Sequence, residues 1–300
     1  MTVAVTCGDP RGIGPEVAAV AAREADDVVL VGPRALWERA ADLRGVALTA
    51  PVEEPPPVAG APSSWGSLPE LAAIDHAVRG CLDGRFSAVC TAPIHKAPLL
   101  EAGFDHAGHT GWLGALCGVP PEDAIMCFAG GRLRVALVTT HVPLADVPGL
   151  LTVGRVTRTA RALADLLRGL DVPAPRVAIC GLNPHAGEDG KLGSEDGDVL
   201  APAVAALRAE GLDATGPHPG DTVFARALRG DFDGVVAMYH DQGLSPVKTI
   251  DFGRSVNITM GLPIVRTSVD HGTARDIAWT GVADAEPMAA ALRMARRLTA

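Results

Sequence analysis

The chain of 300 residues is 48% hydrophobic and only 4% aromatic, which is typical of an α/β protein and unlike a secreted or disordered one. Its formal net charge of −9 argues against nucleic acid as the main partner, because that partner requires a basic face. The N-terminus has no basic region ahead of an apolar core, and no apolar run is long enough to span a membrane. We therefore expect a cytoplasmic protein that binds neither nucleic acid nor membranes.

Short apolar runs alternate with longer amphipathic stretches, which predicts β-α units on a mostly parallel sheet. In chain order the predicted elements are strand 3–6, a helix opened by 12–16, strand 28–31, helix 68–82, strand 88–90, helix 152–170, strand 177–180, helix 199–209, strand 235–238 and helix 285–298. The segment 51–69 is rich in Pro, Ser and Gly and predicts an irregular surface loop. Gly130-Gly131 separates two apolar runs and predicts a β-hairpin, so the sheet should be mixed.

Three histidines stand in polar surroundings after predicted strands. His141, His185 and His240 each follow an apolar run and have Gly, Pro, Asn or Asp as neighbours. The carboxyl ends of strands are where α/β sheets build their sites, and three imidazoles can bind one divalent ion. The chain has no H-E-x-x-H or similar local signature, so a structural role for each histidine stays open on pattern alone.

Cationic and amide side chains follow His240 within one short stretch. Lys248, Asn257 and Arg266 are spaced nine residues apart, and the two cations have apolar neighbours. Such neighbours favour partial burial and hence a paired anion, although a solvated surface charge is the common alternative. Gly108-His109-Thr110 opens a predicted helix and is either an anion-binding or hydroxyl-binding corner or an ordinary threonine N-cap.

The glycine-rich run from Gly8 to Glu16 resembles a nucleotide-binding turn only superficially. Gly12-x-Gly14 is not followed by a third glycine, because position 17 is valine, and no Walker lysine is present. A tight turn into a helix is therefore favoured over direct binding of cofactor phosphates.

Seven motifs in one order carry a resemblance to a known family. They are Gly8-Asp-Pro-x-Gly-Ile-Gly-Pro-Glu16, Thr91-Ala-Pro-Ile-His-Lys96, Gly108-His-Thr110, Thr140-His-x-Pro-Leu144, Leu182-Asn-Pro-His-Ala-Gly-Glu188, Tyr239-His-Asp-Gln-Gly243 and Arg266-Thr-Ser-Val-Asp-His-Gly-Thr273. Together they closely resemble the 4-hydroxythreonine-4-phosphate dehydrogenase family of vitamin B6 biosynthesis, and the resemblance runs from residue 3 to the C-terminal helix.

The resemblance implies a homodimer of two-lobed α/β/α subunits with a mixed sheet, related to the isocitrate and isopropylmalate dehydrogenases. The first lobe would comprise residues 1–120 and 265–300. The second, 121–264, would carry the metal site in the cleft, and the active site would lie at the dimer interface.

The resemblance also implies roles for individual residues. The metal ligands would be His141, His185 and His240, and the ion would be zinc, cobalt or magnesium, one per subunit. The substrate contacts would be His109, Thr110, Lys248, Asn257 and Arg266. The segment 270–277 resembles the one that binds the adenosine end of NAD in isopropylmalate dehydrogenases, which implies cofactor contacts at His271, Gly272, Thr273 and Asp276.

The implied reaction is NAD-dependent oxidation of the secondary alcohol of 4-phosphohydroxy-L-threonine, followed by decarboxylation of the β-keto acid. Lys248 would act in catalysis by orienting the phosphate or carboxylate, and Asp241 is a candidate general base by adjacency alone. Gly111 and Trp112 depart from the family, which usually has an acidic residue here. The alternatives are D-threonate or D-erythronate 4-phosphate or a carboxylated dihydrodiol as substrate, a metal-dependent hydrolase, or a protein that binds metal or metabolite without catalysis.

Overall fold

The computed structural model describes residues 1–104 and 109–300, except the side chains of Glu24, Ser67 and His109. This described chain forms two compact units. Unit 1 is Met1–Ala124 with Val256–Ala300, and unit 2 is Ile125–Ser255. The expected lobe limits, 120/121 and 264/265, differ from this division because the strand that begins at Val256 pairs within unit 1. None of the helices in the described chain is long and apolar enough to cross a membrane.

The described strands are, in chain order, β1 (Val3–Thr6), β2 (Val28–Val31), β3 (Val52–Glu53), β4 (Ala88–Thr91), β5 (Ile125–Ala129), β6 (Val135–Leu137), β7 (Arg176–Cys180), β8 (Asp213–His218), β9 (Gly234–Ala237), β10 (Val256–Met260) and β11 (Val265–Val269). The described α-helices are α1 (Gly14–Ala21), α2 (Arg34–Arg44), α3 (Pro69–Leu82), α4 (Lys96–Glu101), α5 (His109–Cys117), α6 (Val147–Leu150), α7 (Val153–Gly169), α8 (Ala201–Ala209), α9 (Gly220–Leu228), α10 (His240–Asp251) and α11 (Glu286–Arg297).

The sheet of unit 1 has the strand order β3-β2-β1-β4-β11-β10. Neighbouring strands run parallel except β10 and β11, which are antiparallel. Every residue of β1, β2 and β4 is buried, which explains their unbroken apolar sequences, since strands covered on both faces do not alternate. The prediction of an irregular loop over 51–69 was wrong in part, because Val52–Glu53 adds an edge strand to β2 and Ser63–Ser67 forms a 3₁₀ turn.

The sheet of unit 2 has the order β5-β6-β9-β7-β8. The β5–β6 hairpin and the mixed character of the sheet are confirmed. The hairpin turn is closed from a distant element, because one carboxylate oxygen of Asp251, at the end of α10, accepts the backbone N–H groups of Arg132 and Leu133 at 2.7 and 2.9 Å. Gly131 lies against that carboxylate, and a Cβ at this position would overlap it.

The polar stretch around His240 forms a helix that the sequence analysis did not predict. His240 is the first residue of α10, which is separated from the end of β9 by two residues, although the helix contains Gly243 and Pro246. Leu244 and Val247 are buried in the core of unit 2, so tertiary packing stabilises a helix that local propensity disfavours.

Candidate active site

His185 lies in a left-handed segment of backbone. All six residues from His185 to Gly190 have positive φ, and four of them are not glycine. For an L-residue this conformation costs roughly 1–2 kcal/mol each, because Cβ approaches the following carbonyl oxygen. The segment is therefore strained and depends on contacts with its surroundings to keep its shape.

Asp196 holds the turn that immediately precedes this segment. Its side chain is only 2% exposed, and its two carboxylate oxygens accept the backbone N–H groups of Leu182 and Asn183 at 2.9 and 3.1 Å. The Asn183 amide also donates to Asp196 and to Glu195, at 2.9 and 2.8 Å. The turn before His185 is thus tied to the π-helical turn Asp196–Leu200. The sequence analysis assigned no role to Asp196.

His141 and His240 lie next to each other in unit 2. Their ring centroids are 5.4 Å apart, and the ring planes are tilted by 41°. Nδ1 of His240 is 2.7 Å from Oδ1 of Asp241. A carboxylate on one ring nitrogen fixes the tautomer and leaves the other nitrogen, Nε2, available as a ligand, which is the usual arrangement around metal-binding histidines. His141 also has a positive φ, of 52°, which marks a second strained histidine.

Two adjoining cavities of unit 2 contain the predicted metal ligands. The larger, of about 690 Å³, is lined by His185 and Asp221, and the smaller, of about 250 Å³, by His141 and His240. Tyr239 and Asp241 line both cavities. Within the described chain, no three His, Cys, Asp or Glu side chains are grouped closely enough to hold a metal. The structure therefore brings two of the three predicted ligands together and places His185 in the neighbouring cavity.

Gln242 connects the strand ends that carry these residues, and sequence reasoning did not identify it. Its Oε1 accepts the backbone N–H of Met238 at 2.7 Å, and its Nε2 donates to the carbonyl of Gly181 at 2.8 Å. Met238 follows β9 and Gly181 follows β7, so this single amide fixes the spacing between the two loops.

Arg266, in unit 1, is a buried cation held by hydroxyl groups. It is 2% exposed, and its Nε and Nη2 donate to Oγ1 of Thr91 at 3.2 and 2.8 Å. Its Nη1 donates to Oγ1 of Thr259 at 3.0 Å. No carboxylate of the described residues pairs with it, and burial lowers the pKa of the guanidinium to about 10. Thr91 and Thr259 are site residues that the sequence did not reveal.

Asn257 lies on the same face of β10 as Thr259, since the two are separated by one residue. Thr259 is paired with Arg266 across the sheet, and Asn257 with Ser268. Oδ1 of Asn257 is buried and has no hydrogen-bond partner among the described residues. Arg266 and Asn257, two predicted substrate contacts, are therefore neighbours in the sheet. Arg266 has N–H donors, and Asn257 has an acceptor that no described residue uses.

The other predicted substrate contacts are only partly described. Lys248 is half-buried in the third turn of α10, and Thr110 is half-buried in the first turn of α5. Gly108 and the side chain of His109 lie outside the described residues. Trp112, which departs from the family pattern, is buried and packs edge-on against Trp65 and Phe104, with centroids 5.9 and 5.2 Å away.

The predicted cofactor contacts lie together in unit 1 after β11. Thr273 is buried, and its carbonyl accepts the backbone N–H of Ile13 at 2.9 Å. His271 is half-buried, with Nδ1 2.8 Å from the carbonyl oxygen of Gly272, and Asp276 is exposed. All four lie within the six consecutive positions from 271 to 276.

Comparison with known proteins decides the family. The family model described as "Pyridoxal phosphate biosynthetic protein PdxA" matches residues 23–295. This chain belongs to the PdxA family. Among its relatives is a 4-hydroxythreonine-4-phosphate dehydrogenase of Erythrobacter litoralis, which is 44% identical over 98% of this chain and 95% of its own length. One from Marinobacter nauticus is also 44% identical, over 99% of this chain and 94% of its own length.

Several solved structures have the same fold as this chain. A 4-hydroxythreonine-4-phosphate dehydrogenase from Klebsiella pneumoniae is 38% identical, with a TM-score of 0.86 and coverage of 99% and 98% of the two chains. A terephthalate 1,2-cis-dihydrodiol dehydrogenase from Burkholderia xenovorans is 33% identical, with a TM-score of 0.72 over 98% and 97%. A β-decarboxylating dehydrogenase from Thermococcus kodakarensis is 16% identical, with a TM-score of 0.56 over 98% of this chain and 82% of its own, and shows the fold alone. The predicted α/β fold class is therefore confirmed.

Proposed function

We propose that this chain is an NAD-dependent decarboxylating dehydrogenase that oxidises the secondary alcohol of 4-phosphohydroxy-L-threonine in the cytoplasm, as a step of pyridoxine biosynthesis. Support for the reaction comes from the full-length relatives named 4-hydroxythreonine-4-phosphate dehydrogenase. Support from the geometry comes mainly from Arg266, which is buried, charged and not paired with a carboxylate of the described chain.

Arg266 suits an anionic substrate because its charge is not already neutralised. Arginine has five N–H donors, and the hydroxyls of Thr91 and Thr259 occupy three of them. The two remaining donors can bind a phosphate or carboxylate with the charge-assisted geometry that guanidinium groups favour. The unused Oδ1 of Asn257 would accept a hydrogen bond from a hydroxyl or ammonium group of the same molecule. Lys248 would supply a second cation and orient the reacting carbon.

The histidines fit a divalent metal by the chemistry of their donors. Imidazole ligands favour zinc or cobalt over magnesium, which prefers oxygen ligands. We propose His141, His185 and His240 as the ligands, with Asp241 fixing the ring of His240 through the 2.7 Å contact to Nδ1. A bound metal would lower the pKa of the substrate alcohol, as it does for bound water. Asp241 also remains the candidate general base, because its side chain is 82% exposed and only one of its oxygens contacts His240.

The separation of the three histidines in one chain supports a homodimer. His141 and His240 are adjacent, whereas no group of three candidate ligands is assembled among the described residues. A tetrahedral site with one open position needs three protein ligands. We propose that a second copy of the chain completes the site at the dimer interface.

A second candidate substrate is a carboxylated dihydrodiol. The similarity to the terephthalate dihydrodiol dehydrogenase, together with Gly111 and Trp112 at the helix that follows the predicted substrate corner, favours it over the hydrolase alternative. We rank this substrate second because the structural similarity to its dehydrogenase is lower, with a TM-score of 0.72 against 0.86 for the Klebsiella structure.

The test is formation of NADH by the zinc-loaded or cobalt-loaded protein. Four substrates are offered in parallel: 4-phosphohydroxy-L-threonine, D-threonate 4-phosphate, D-erythronate 4-phosphate and the terephthalate dihydrodiol. We expect turnover of the first only, and its loss in His185→Ala. Turnover of a sugar-acid phosphate or the diol instead would overturn the substrate assignment, and full activity of His185→Ala would overturn the metal assignment.

A further inference from the structure

The glycine-rich run of Asp9–Glu16, here called the glycine loop, is held against the segment Thr273–Gly281, here called the tail segment. Ile13 N–H donates to the carbonyl of Thr273 at 2.9 Å, and Trp279 Nε1 donates to the carbonyl of Pro10 at 2.8 Å. Both segments belong to unit 1 and are far apart in sequence. The tail segment contains two of the proposed cofactor contacts and directly follows the other two.

Asp9 anchors the start of the tail segment. It is fully buried, and Oδ2 accepts from Nη2 of Arg275 at 2.6 Å, while Oδ1 accepts from the backbone and side chain of Arg11, both at 3.0 Å. Burial alone would raise the pKa of Asp9, but the bonds from the two arginines outweigh it and lower the pKa, so the carboxylate is charged at neutral pH. Arg275 immediately precedes Asp276, which ties this proposed contact to a buried charge.

Glu16 anchors the end of the tail segment. It is fully buried in the first turn of α1, and its two oxygens accept the backbone N–H groups of Trp279 and Gly281. Trp279 has a positive φ of 61°, and the guanidinium of Arg39 lies 3.9 Å from its ring centroid. A non-glycine residue keeps this conformation only where contacts with its surroundings hold it, and the hydrogen bond from Trp279 N–H to Glu16 is such a contact.

Gly12 allows the two segments to approach. A Cβ on Gly12 would lie 2.7 Å from Cβ and 2.8 Å from the carbonyl oxygen of Thr273. Neither atom is the free end of a flexible side chain, so any larger residue would displace Thr273.

We propose that Asp9 and Glu16 are positioning residues for cofactor binding, because they fix the backbone of the tail segment in the shape that presents Thr273 and Asp276 to the adenosine end of NAD. This inference rests on the proposed NAD-dependent function. It assigns to the glycine loop a role other than direct phosphate binding, for which the loop lacks the fingerprint.

The test measures cofactor affinity and backbone protection separately in Asp9→Asn and Glu16→Gln, which keep the size of each side chain. We expect the Kd for NADH to rise about tenfold, the loss expected for one charge-assisted hydrogen bond. We also expect faster amide hydrogen exchange in 273–281, with zinc affinity unchanged. Faster exchange with an unaltered Kd for NADH would overturn the cofactor role, and unaltered exchange would overturn the anchoring itself. If the wild-type protein binds no NADH, the proposed function fails, while hydrogen exchange still decides whether the anchors act as described.

Substitutions at less buried positions test the same inference if Asp9→Asn or Glu16→Gln prevents folding. Arg275→Met removes the partner of Asp9 at a side chain that is 36% exposed, and we expect the same two effects. Arg161→Met is the matched control, because it breaks an arginine–carboxylate pair with Glu210 in unit 2 and should change neither quantity. Gly12→Ala should weaken NADH binding, whereas Gly66→Ala, with nothing within 4 Å of its Cβ, should not. Equal effects of Arg275→Met and Arg161→Met on NADH binding would contradict the proposal.

Discussion

Replacement of Arg266 by methionine should stabilise the fold and abolish binding of the anionic substrate. The guanidinium is buried, and burial lowers its pKa from 12.5 to about 10. A shift of this size corresponds to roughly 3 kcal/mol by which the folded state disfavours the charged form. Methionine keeps the length of the aliphatic stem of arginine and carries no charge, so this penalty disappears in the variant.

The hydrogen bonds that Arg266 makes offset part of this gain. Its three bonds end on the hydroxyls of Thr91 and Thr259, which can rotate towards other acceptors after the substitution. Because the hydroxyls can form other bonds, each loss should cost about 0.5 kcal/mol, the low end for one hydrogen bond, or roughly 1.5 kcal/mol for the three together. The expected balance is therefore a free energy of unfolding about 1.5 kcal/mol higher than that of the wild type, within the range seen when buried ions are replaced by apolar residues.

Urea titration measures the stability, and NADH formation measures KM for the substrate. A direct binding measurement is also available, because inorganic phosphate should raise the unfolding midpoint of the wild type by mass action but not that of Arg266→Met. Arg266→Lys is the matched control: it keeps the charge without the planar fork, so it should weaken substrate binding without any gain in stability. The reasoning is refuted if Arg266→Met is less stable than the wild type and retains its KM.

Three further substitutions test other parts of the structure. Burial raises the pKa of Glu70 from 4.5 to about 7, so its contribution to stability is complete below pH 4.5 and is lost as the pH rises through 7. The free energy of unfolding of Glu70→Gln should therefore rise relative to that of the wild type by up to roughly 3 kcal/mol over this pH range. A difference between the two proteins that stays constant with pH would contradict this. Gly131→Ala should destabilise unit 2 by about 1–3 kcal/mol because its methyl overlaps a buried carboxylate, whereas Gly149→Ala, with open space around its Cβ, should be neutral or slightly stabilising in the same urea titration. Asp196→Asn should reduce zinc affinity about 10–100-fold in a calorimetric titration, since it weakens the support of a proposed ligand, and an unchanged Kd would argue against that support.

The strands of unit 1 were predictable because their signal is local. β1 and β2 were predicted at Val3–Thr6 and Val28–Val31, the bounds that the structure has, since both are continuous apolar runs between polar turns. Helix α10 was not predicted, because Gly243 and Pro246 disfavour a helix and its stability comes from burial of Leu244 and Val247. That burial depends on strands elsewhere in the chain, which no local window contains.

The residues of the candidate site also differ in whether local sequence was enough to identify them. His141, His185 and His240 were visible in the sequence because chemically versatile residues stood among glycine, proline and asparagine after apolar runs. Thr91 was not visible as a partner of Arg266, because the two are 175 positions apart and a threonine at a strand end has many ordinary roles. Only the parallel pairing of β4 with β11 makes them neighbours.

Arg266 in unit 1 and His185 in unit 2 share a property that supports a functional role for each. Elsewhere in the described chain, arginines such as Arg161 and Arg176 form bidentate pairs with Glu210 and Asp233, whereas Arg266 is buried against neutral hydroxyls. His185 begins a run of left-handed residues that the backbone of an L-amino acid resists. Each feature lowers the stability of the fold, and neither is explained by packing, because an apolar residue or a glycine would be accommodated at less cost. Sequences keep such local conflicts mainly where function requires them. The buried charge of Arg266, which no carboxylate of the described residues neutralises, is therefore evidence for an anionic ligand, independently of the family to which the chain belongs. The strained backbone at His185 is likewise evidence that this side chain binds a ligand.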